Sequence, residues 1–245
     1  MVPNGKTALV TGGARRLGKA IVLALAQAGA NVVINYRASA AEAQATAAEA
    51  EALGAGALAI QADVANPEQL TALLAAATAR FGPVDILVNS ASHFVPTPFP
   101  SDDLTNWRRV LDTQIEGALN CANAVAPSML RQSEGVIVNI LDLYAWQPLR
   151  SYGAHAVGKA ALLALTRQLA LELAPHVRVN AVAPGRVLPP DGYTADRIAR
   201  GAARTLLGRW GTPQDVTAAV LYLIQAGFIT GETIVVDGGE RLGRS

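Results

Sequence analysis

The sequence predicts a doubly wound α/β domain: a parallel sheet of about seven strands with helices on both faces, of the Rossmann type. Three observations carry this. Short β-branched runs alternate with Ala/Leu-rich helical stretches along the whole chain, and such βαβ alternation implies parallel strands joined by right-handed crossovers. The strand runs are continuously apolar rather than alternating, so both faces of the sheet must be covered. The 245 residues, 51% hydrophobic and only 16% charged, suffice for one large core.

In order, Thr7–Thr11 reads as the first buried strand and Leu17–Ala28 as the first helix. Asn31–Tyr36 is a second strand, followed by a helix over Ala40–Leu53 and a third strand over Ala57–Ala62. Pro67–Phe81 is a helix with Pro in its first turn and Asn66 as its cap. Val84–Asn89 is a fourth strand, Asp103–Arg131 one long helix, and Gly135–Ile140 a fifth strand. Tyr152–Ala174 is helical, Val177–Val182 a sixth strand, Pro213–Gln225 a helix and Thr233–Asp237 the last strand. One stretch stays irregular, from Pro184 to about Arg197, with Pro189-Pro190-Asp191-Gly192 inside it. A connection that long in a compact domain is usually a lid or binding loop, so residues from about 184 to 205 are expected to form a substrate loop. With no linker, low-complexity segment or repeat, residues 1–245 are read as one domain.

Composition excludes several classes of function. The net charge of +1 offers no basic excess for nucleic acid or a membrane surface. No run approaches the ~18 apolar residues of a membrane span, and the N-terminus enters a strand at once, so the expectation is a cytoplasmic protein without a leader. Cys121 is the only cysteine, which leaves no internal disulfide and no multi-cysteine metal site; a small apolar filler is its expected role. With His93 and His176 read as loop and surface histidines, no metal is expected.

The first strand runs into Thr11-Gly12-Gly13-Ala14-Arg15-Arg16-Leu17-Gly18, which opens a helix. Glycines let the backbone approach a pyrophosphate, and a helix N-terminus offers unpaired N–H groups. An ordinary Gly-rich turn would look the same. The second strand ends in Asn35-Tyr36-Arg37-Ala38-Ser39, without the carboxylate that would bind ribose hydroxyls in NAD. Arg16 and Arg37 could instead converge on a phosphate, with Ser39 donating a hydrogen bond. The expected cofactor is NADP(H). The alternative for Arg37 is a solvated surface charge. Asp63 and Asn89, at the ends of the third and fourth strands, are expected to line the same crevice; a cap or turn role is the alternative.

These residues resemble the short-chain dehydrogenase/reductase family over essentially the whole chain. The resemblance rests on Thr11-Gly12 with Gly18, Asp63-Val64, Asn89-Ser90-Ala91, Lys159 in a long helix, Pro184-Gly185, Thr230-Gly231 and Asp237-Gly238-Gly239. Within that family the chain looks most like the pteridine reductases. Arg16 stands where most members have glycine; Ser92-His93-Phe94 follows the fourth strand; Asp142 takes the place of the usual catalytic serine. The resemblance implies cofactor contacts at Gly12, Arg16, Leu17, Gly18, Tyr36, Arg37, Ser39, Asp63, Val64, Asn89, Ala91, Lys159, Pro184 and Gly185. It implies substrate contacts at Ser92, Phe94 and Asp142, with Phe94 stacking on a flat ring against the nicotinamide. Plain core packing is the alternative for Phe94.

One departure stands out. The family's acid is a tyrosine four residues before the lysine, and here that position is His155. Gln114 stands where most members have an asparagine that supports a proton-relay water. Of the usual four catalytic positions, Gln114, Asp142, His155 and Lys159, only the lysine is unchanged. Imidazole titrates near neutrality without help; Lys159 would favour its neutral form and Asp142 its charged form, and where Asp142 prevails His155 can donate a proton. The alternative is a position that has lost its role. The reading is an NADPH-dependent reductase of a C=N or C=O bond in a small, flat, dihydropterin- or dihydrofolate-like substrate. A carbonyl reductase or alcohol dehydrogenase of other substrate, and a non-catalytic NADP-binding protein, are the alternatives. By family analogy the expected assembly is a homotetramer.

Overall fold

The apolar runs become seven strands: β1 (Thr7–Val10), β2 (Asn31–Tyr36), β3 (Ala57–Gln61), β4 (Ile86–Asn89), β5 (Gly135–Ile140), β6 (Val177–Pro184) and β7 (Thr233–Val236). The computed structural model describes residues 1–190 and 192–243; Asp191, in the irregular stretch, lies outside the described residues. All neighbours in the sheet are parallel, in the order β3-β2-β1-β4-β5-β6-β7. Strand order therefore reverses between β1 and β4, and a crevice opens at their carboxyl ends, where this architecture holds its ligands.

Among the described residues there are eight α-helices: α1 (Arg16–Gln27), α2 (Ala40–Ala52), α3 (Pro67–Phe81), α4 (Thr105–Leu111), α5 (Gly117–Gln132), α6 (Gly153–Leu173), α7 (Ala195–Ala202) and α8 (Pro213–Gln225). Side chains of a strand point alternately to its two faces. Val10, Val32 and Ile34 accordingly pack with Ile21, Leu25, Val220 and Leu223 of α1 and α8. Leu9, Val33 and Leu87 pack on the other face with Leu70, Leu73, Val125 and Met129 of α3 and α5. Cys121 belongs to that second layer at 1% exposure, and burial pushes its thiol up to about 12. Asn66 caps α3 as expected, its side chain accepting from Glu68 and Gln69 N–H.

Three differences from the sequence reading bear on function. The stretch read as one helix over Asp103–Arg131 is α4 and α5 joined by a π-helical turn at Asp112–Glu116. The wider turn carries Gln114 inward, to 1% exposure; π turns often mark functional sites. The irregular stretch runs into α7, a short helix that buries only Gly201; its apolar spacing, Ala195, Ile198, Ala199 and Ala202, spans barely two turns. A short 3₁₀ turn, Leu143–Ala145, follows β5, with Asp142 as its cap.

Behind the site, Arg178 of β6 reaches the end of α8. Its guanidinium donates to the carbonyls of Leu223 (2.8 Å), Ile224 (2.7 Å) and Ile229 (3.2 Å). The last carbonyls of a helix have no partner within it, and this one side chain satisfies two of them.

Candidate active site

A cleft of about 730 Å³ runs along the carboxyl edge of the sheet across the β1/β4 reversal. Among the residues the sequence singled out, Gly12, Arg16, Leu17, Gly18, Tyr36, Arg37, Ser39, Asp63, Val64 and Ala91 line it. So do Ser92, Phe94, Asp142, His155, Lys159, Pro184 and Gly185. Two do not. Asn89 is turned into the sheet, where its amide donates to Asn139 Oδ1 at 2.9 Å; at the last position of β4 its side chain falls on a covered face rather than at the rim. Gln114 lies behind the cleft, within the protein.

One end of the cleft suits anions. Gly12 adopts φ +64°, and a Cβ on it would press within 2.9 Å of Ala91 Cα. A Cβ on Gly18 would collide with the Gly12 carbonyl. The β1–α1 turn thus keeps its backbone bare at the mouth of the cleft. No side chain caps α1, so its first N–H groups stay open to a ligand. Arg15, Arg16 and Arg37 line the same end. Ser39 precedes α2 without capping it, which leaves its hydroxyl for the cleft. Arg16 itself has φ +52°, a left-handed conformation that costs a non-glycine residue ~1 kcal/mol. Its Nη2 donates to Leu188 O at 3.4 Å and Pro189 O at 3.3 Å, spanning the cleft to the chain after β6. Arg37 stands 3.8 Å from Asp63.

The other end carries titratable groups. Asp142 Oδ2 lies 2.5 Å from His155 Nε2, and its Oδ1 accepts the Tyr144 N–H at 2.9 Å. His155 Nδ1 lies 2.8 Å from the amide nitrogen of Gln114, which also approaches Ser92 Oγ at 3.3 Å. Lys159, 4% exposed, donates to Ile140 O at 2.7 Å. Burial pulls its ammonium below the ordinary lysine range, and the Asp142 carboxylate partly restores it. Burial pushes the Tyr144 phenol up, so it stays protonated at neutral pH. Phe94 stacks on Tyr152, with centroids 4.4 Å apart, and meets the His155 ring edge-on at 4.7 Å. One face of the expected stacking platform is therefore occupied by Tyr152.

Cleft residues the sequence reading passed over include Arg15, His93, Thr113, Ile140, Val187 and Leu188. Their common signal is position, at or beyond the carboxyl ends of strands or on the π turn. Burial, then the charges of Arg109 and Arg37, pull His93 down, which keeps it neutral. Among the described residues, no group of three or more His, Cys, Asp or Glu could hold a metal ion, and no helix is long and apolar enough to cross a membrane.

Residues 12–240 match the family described as enoyl-(acyl carrier protein) reductase. 3β-Hydroxysteroid dehydrogenase 1 of Eggerthella lenta is 39% identical, over 98% of this chain and 95% of its own. The 3-oxoacyl-[acyl-carrier-protein] reductase FabG of Staphylococcus aureus is 35% identical, over 96% and 97%. Among solved structures, FolM alternative dihydrofolate reductase 1 of Brucella suis in complex with NADP superposes with a TM-score of 0.92. It is 34% identical, over 100% of this chain and 98% of its own. A gluconate 5-dehydrogenase of Burkholderia cenocepacia in complex with NADP and tartrate superposes at 0.90, with 29% identity over 98% and 97%.

Proposed function

This chain belongs to the short-chain dehydrogenase/reductase oxidoreductases, in the family described as enoyl-(acyl carrier protein) reductase, and from that membership we propose that it is an NADPH-dependent reductase of a flat, dihydropterin- or dihydrofolate-like substrate. The observation that carries the reading is the cleft itself. It joins Arg16, Arg37 and Ser39 at one end to Asp142 and Lys159 at the other.

The residues fit the cofactor. The bare turn at Gly12 and Gly18 and the uncapped start of α1 suit a diphosphate. Arg16, Arg37 and Ser39 suit a ribose phosphate, for which a guanidinium fork is the best side-chain partner. When bound, NADPH supplies the hydride. Of this chain's residues, Lys159 holds the nicotinamide ribose and Asp142 meets the heteroatom that must be protonated. His155 stands behind Asp142 as its proton store, because both ring nitrogens already face protein groups. Phe94 offers its open face to the substrate ring. General acid catalysis of this kind is worth ~10²–10⁴-fold in rate.

The test pairs binding with turnover. Calorimetry is expected to show NADPH bound more tightly than NADH, with Arg37→Ala costing NADPH about tenfold and NADH little, as the loss of one charge-assisted bond implies. NADPH oxidation is expected with a dihydropterin. Oxidation with ketones alone would favour a second reading, an alcohol or ketone oxidoreductase. Two observations support that one: the Tyr152 ring on Phe94 and the 39% identity to a hydroxysteroid dehydrogenase. Binding without any oxidation would leave a cofactor-binding protein. We further propose a homotetramer, supported by exposed Leu119, Leu130, Val157 and Leu171 on α5 and α6; a monomer in sedimentation would refute it.

A further inference from the structure

The imidazole of His155 is walled in. Nε2 faces Asp142 Oδ2, Nδ1 faces the amide nitrogen of Gln114, and the Phe94 ring closes one edge. The residue is 4% exposed. A carboxamide nitrogen only donates hydrogen bonds. Nδ1 must therefore accept, and the single ring proton sits on Nε2, directed at the carboxylate. We propose that Gln114 is a positioning residue that sets how many protons the Asp142–His155 pair holds. As built, it fixes the pair in a one-proton state, a neutral ring beside a carboxylate.

That state cannot drive a reduction. Releasing the Nε2 proton would leave an imidazolate. A second proton must first load onto Nδ1, and Gln114 must turn its amide so that Oε1 accepts it. Three features allow the turn. On its far side Gln114 Oε1 is buried with no hydrogen-bond partner, so no bond anchors the present orientation there. Ser92 Oγ, 3.3 Å from the amide nitrogen, can accept from that nitrogen or donate to an oxygen in its place. Gly158 leaves the room, since a Cβ there would collide with Oε1.

In the loaded pair both ring N–H groups are satisfied, one by Gln114 and one by Asp142. Discharge then follows in one displacement. The Nε2 proton crosses to Asp142, and the carboxylic acid so formed protonates the substrate heteroatom, which holds the electron pair released from the reduced double bond. The ring is left neutral with its proton on Nδ1, and Asp142 returns to carboxylate. One N–H bond is broken and one bond to the heteroatom is made. This step alone rests on the reductase reading; the one-proton state does not. The groups facing the ring are Asp142 and Tyr144 from the turn after β5, Gln114 from the π turn, and Ser92 and Phe94 after β4. Tyr152, just before the ring's own helix, stacks on Phe94, and Lys159 of that helix is tied to Ile140 O. Of the groups in contact with the ring, Asp142 is the charged one.

The test reads the ring directly. Nitrogen-15 NMR of the wild-type protein at neutral pH is expected to show His155 as the neutral Nε2–H tautomer. A ring carrying its proton on Nδ1, or a doubly protonated ring, would overturn the proposal. Gln114→Glu keeps the shape but can only accept, and it is expected to hold the doubly protonated ring to higher pH. The alkaline limb of kcat/KM for reduction should follow it upward by about one pH unit, a tenfold change. Gln114→Leu, which neither donates nor accepts, should place the limb between the two. A folded Gln114→Glu whose ring titration stays where the wild type's lies would also overturn the proposal; if that variant does not fold, the wild-type tautomer decides alone. If no substrate is ever turned over, the reductase reading falls while the NMR result still judges the role of Gln114.

Discussion

Lys159 shows how one side chain can be read from its spacing and still hold a surprise in its surroundings. Its place in a long helix, four residues after position 155, was visible in the sequence. That its ammonium would be wholly enclosed and tied to a strand carbonyl was not, because both depend on how α6 lies on β5 and β6. Folding lowers its proton affinity below the ordinary 10.5. Between the folded and unfolded values the unfolded chain binds more protons, so this group makes stability rise with pH there. Below that window the charged form is held at a desolvation cost. Urea titrations of the wild type and Lys159→Met should therefore diverge in the alkaline range just under 10.5, with the wild type gaining up to about 1.4 kcal/mol per pH unit on the variant. Parallel curves would show that burial does not burden this ammonium. His155 carries the same lesson. Its spacing from Asp142 was legible, and the pair does meet; the loss of Nδ1 to Gln114 was not, since it depends on a turn that leaves no mark in composition.

That turn belongs to the scale of elements. Asp103–Arg131 reads as one helix because its apolar spacing is nearly continuous, and only the backbone shows the π turn at Asp112–Glu116. Strands fared better, as a continuous apolar run has few other solutions between two layers of helix. β6 runs on to Pro184, past the expected end at Val182, because β7 pairs with it through that residue. α7 escaped notice because it is only eight residues long, and its one stripe is mostly alanine. At its C-terminal end α8 is held by Arg178. Arg178→Met should keep the packing of the stem but strip the carbonyls of Leu223, Ile224 and Ile229 of their donor. A loss of roughly 1.5–3 kcal/mol in unfolding free energy is expected from bonds to a charged group, measured by the denaturant midpoint. A shift near zero would mean that solvent replaces the guanidinium freely.

For the molecule as a whole, parallel strands and the ligand edge follow from βαβ alternation, which is why a crevice at the carboxyl ends of the strands was legible while the strand order was not. What alternation does not say is how the two rims of the cleft touch. Arg16 joins them, its left-handed backbone throwing the side chain across to Leu188 and Pro189 through long hydrogen bonds. A phosphate oxygen carries formal negative charge and accepts a shorter, stronger bond from a guanidinium than a neutral carbonyl does at 3.3–3.4 Å. An arriving dinucleotide can thus outcompete these carbonyls for the same arginine. Traffic through the gap then acquires a sequence: the nucleotide comes aboard first, and the second guest follows once the bridge has been let down. Product-inhibition kinetics should display compulsory order, and shortening the bridge by Arg16→Ala should let the two arrive at random.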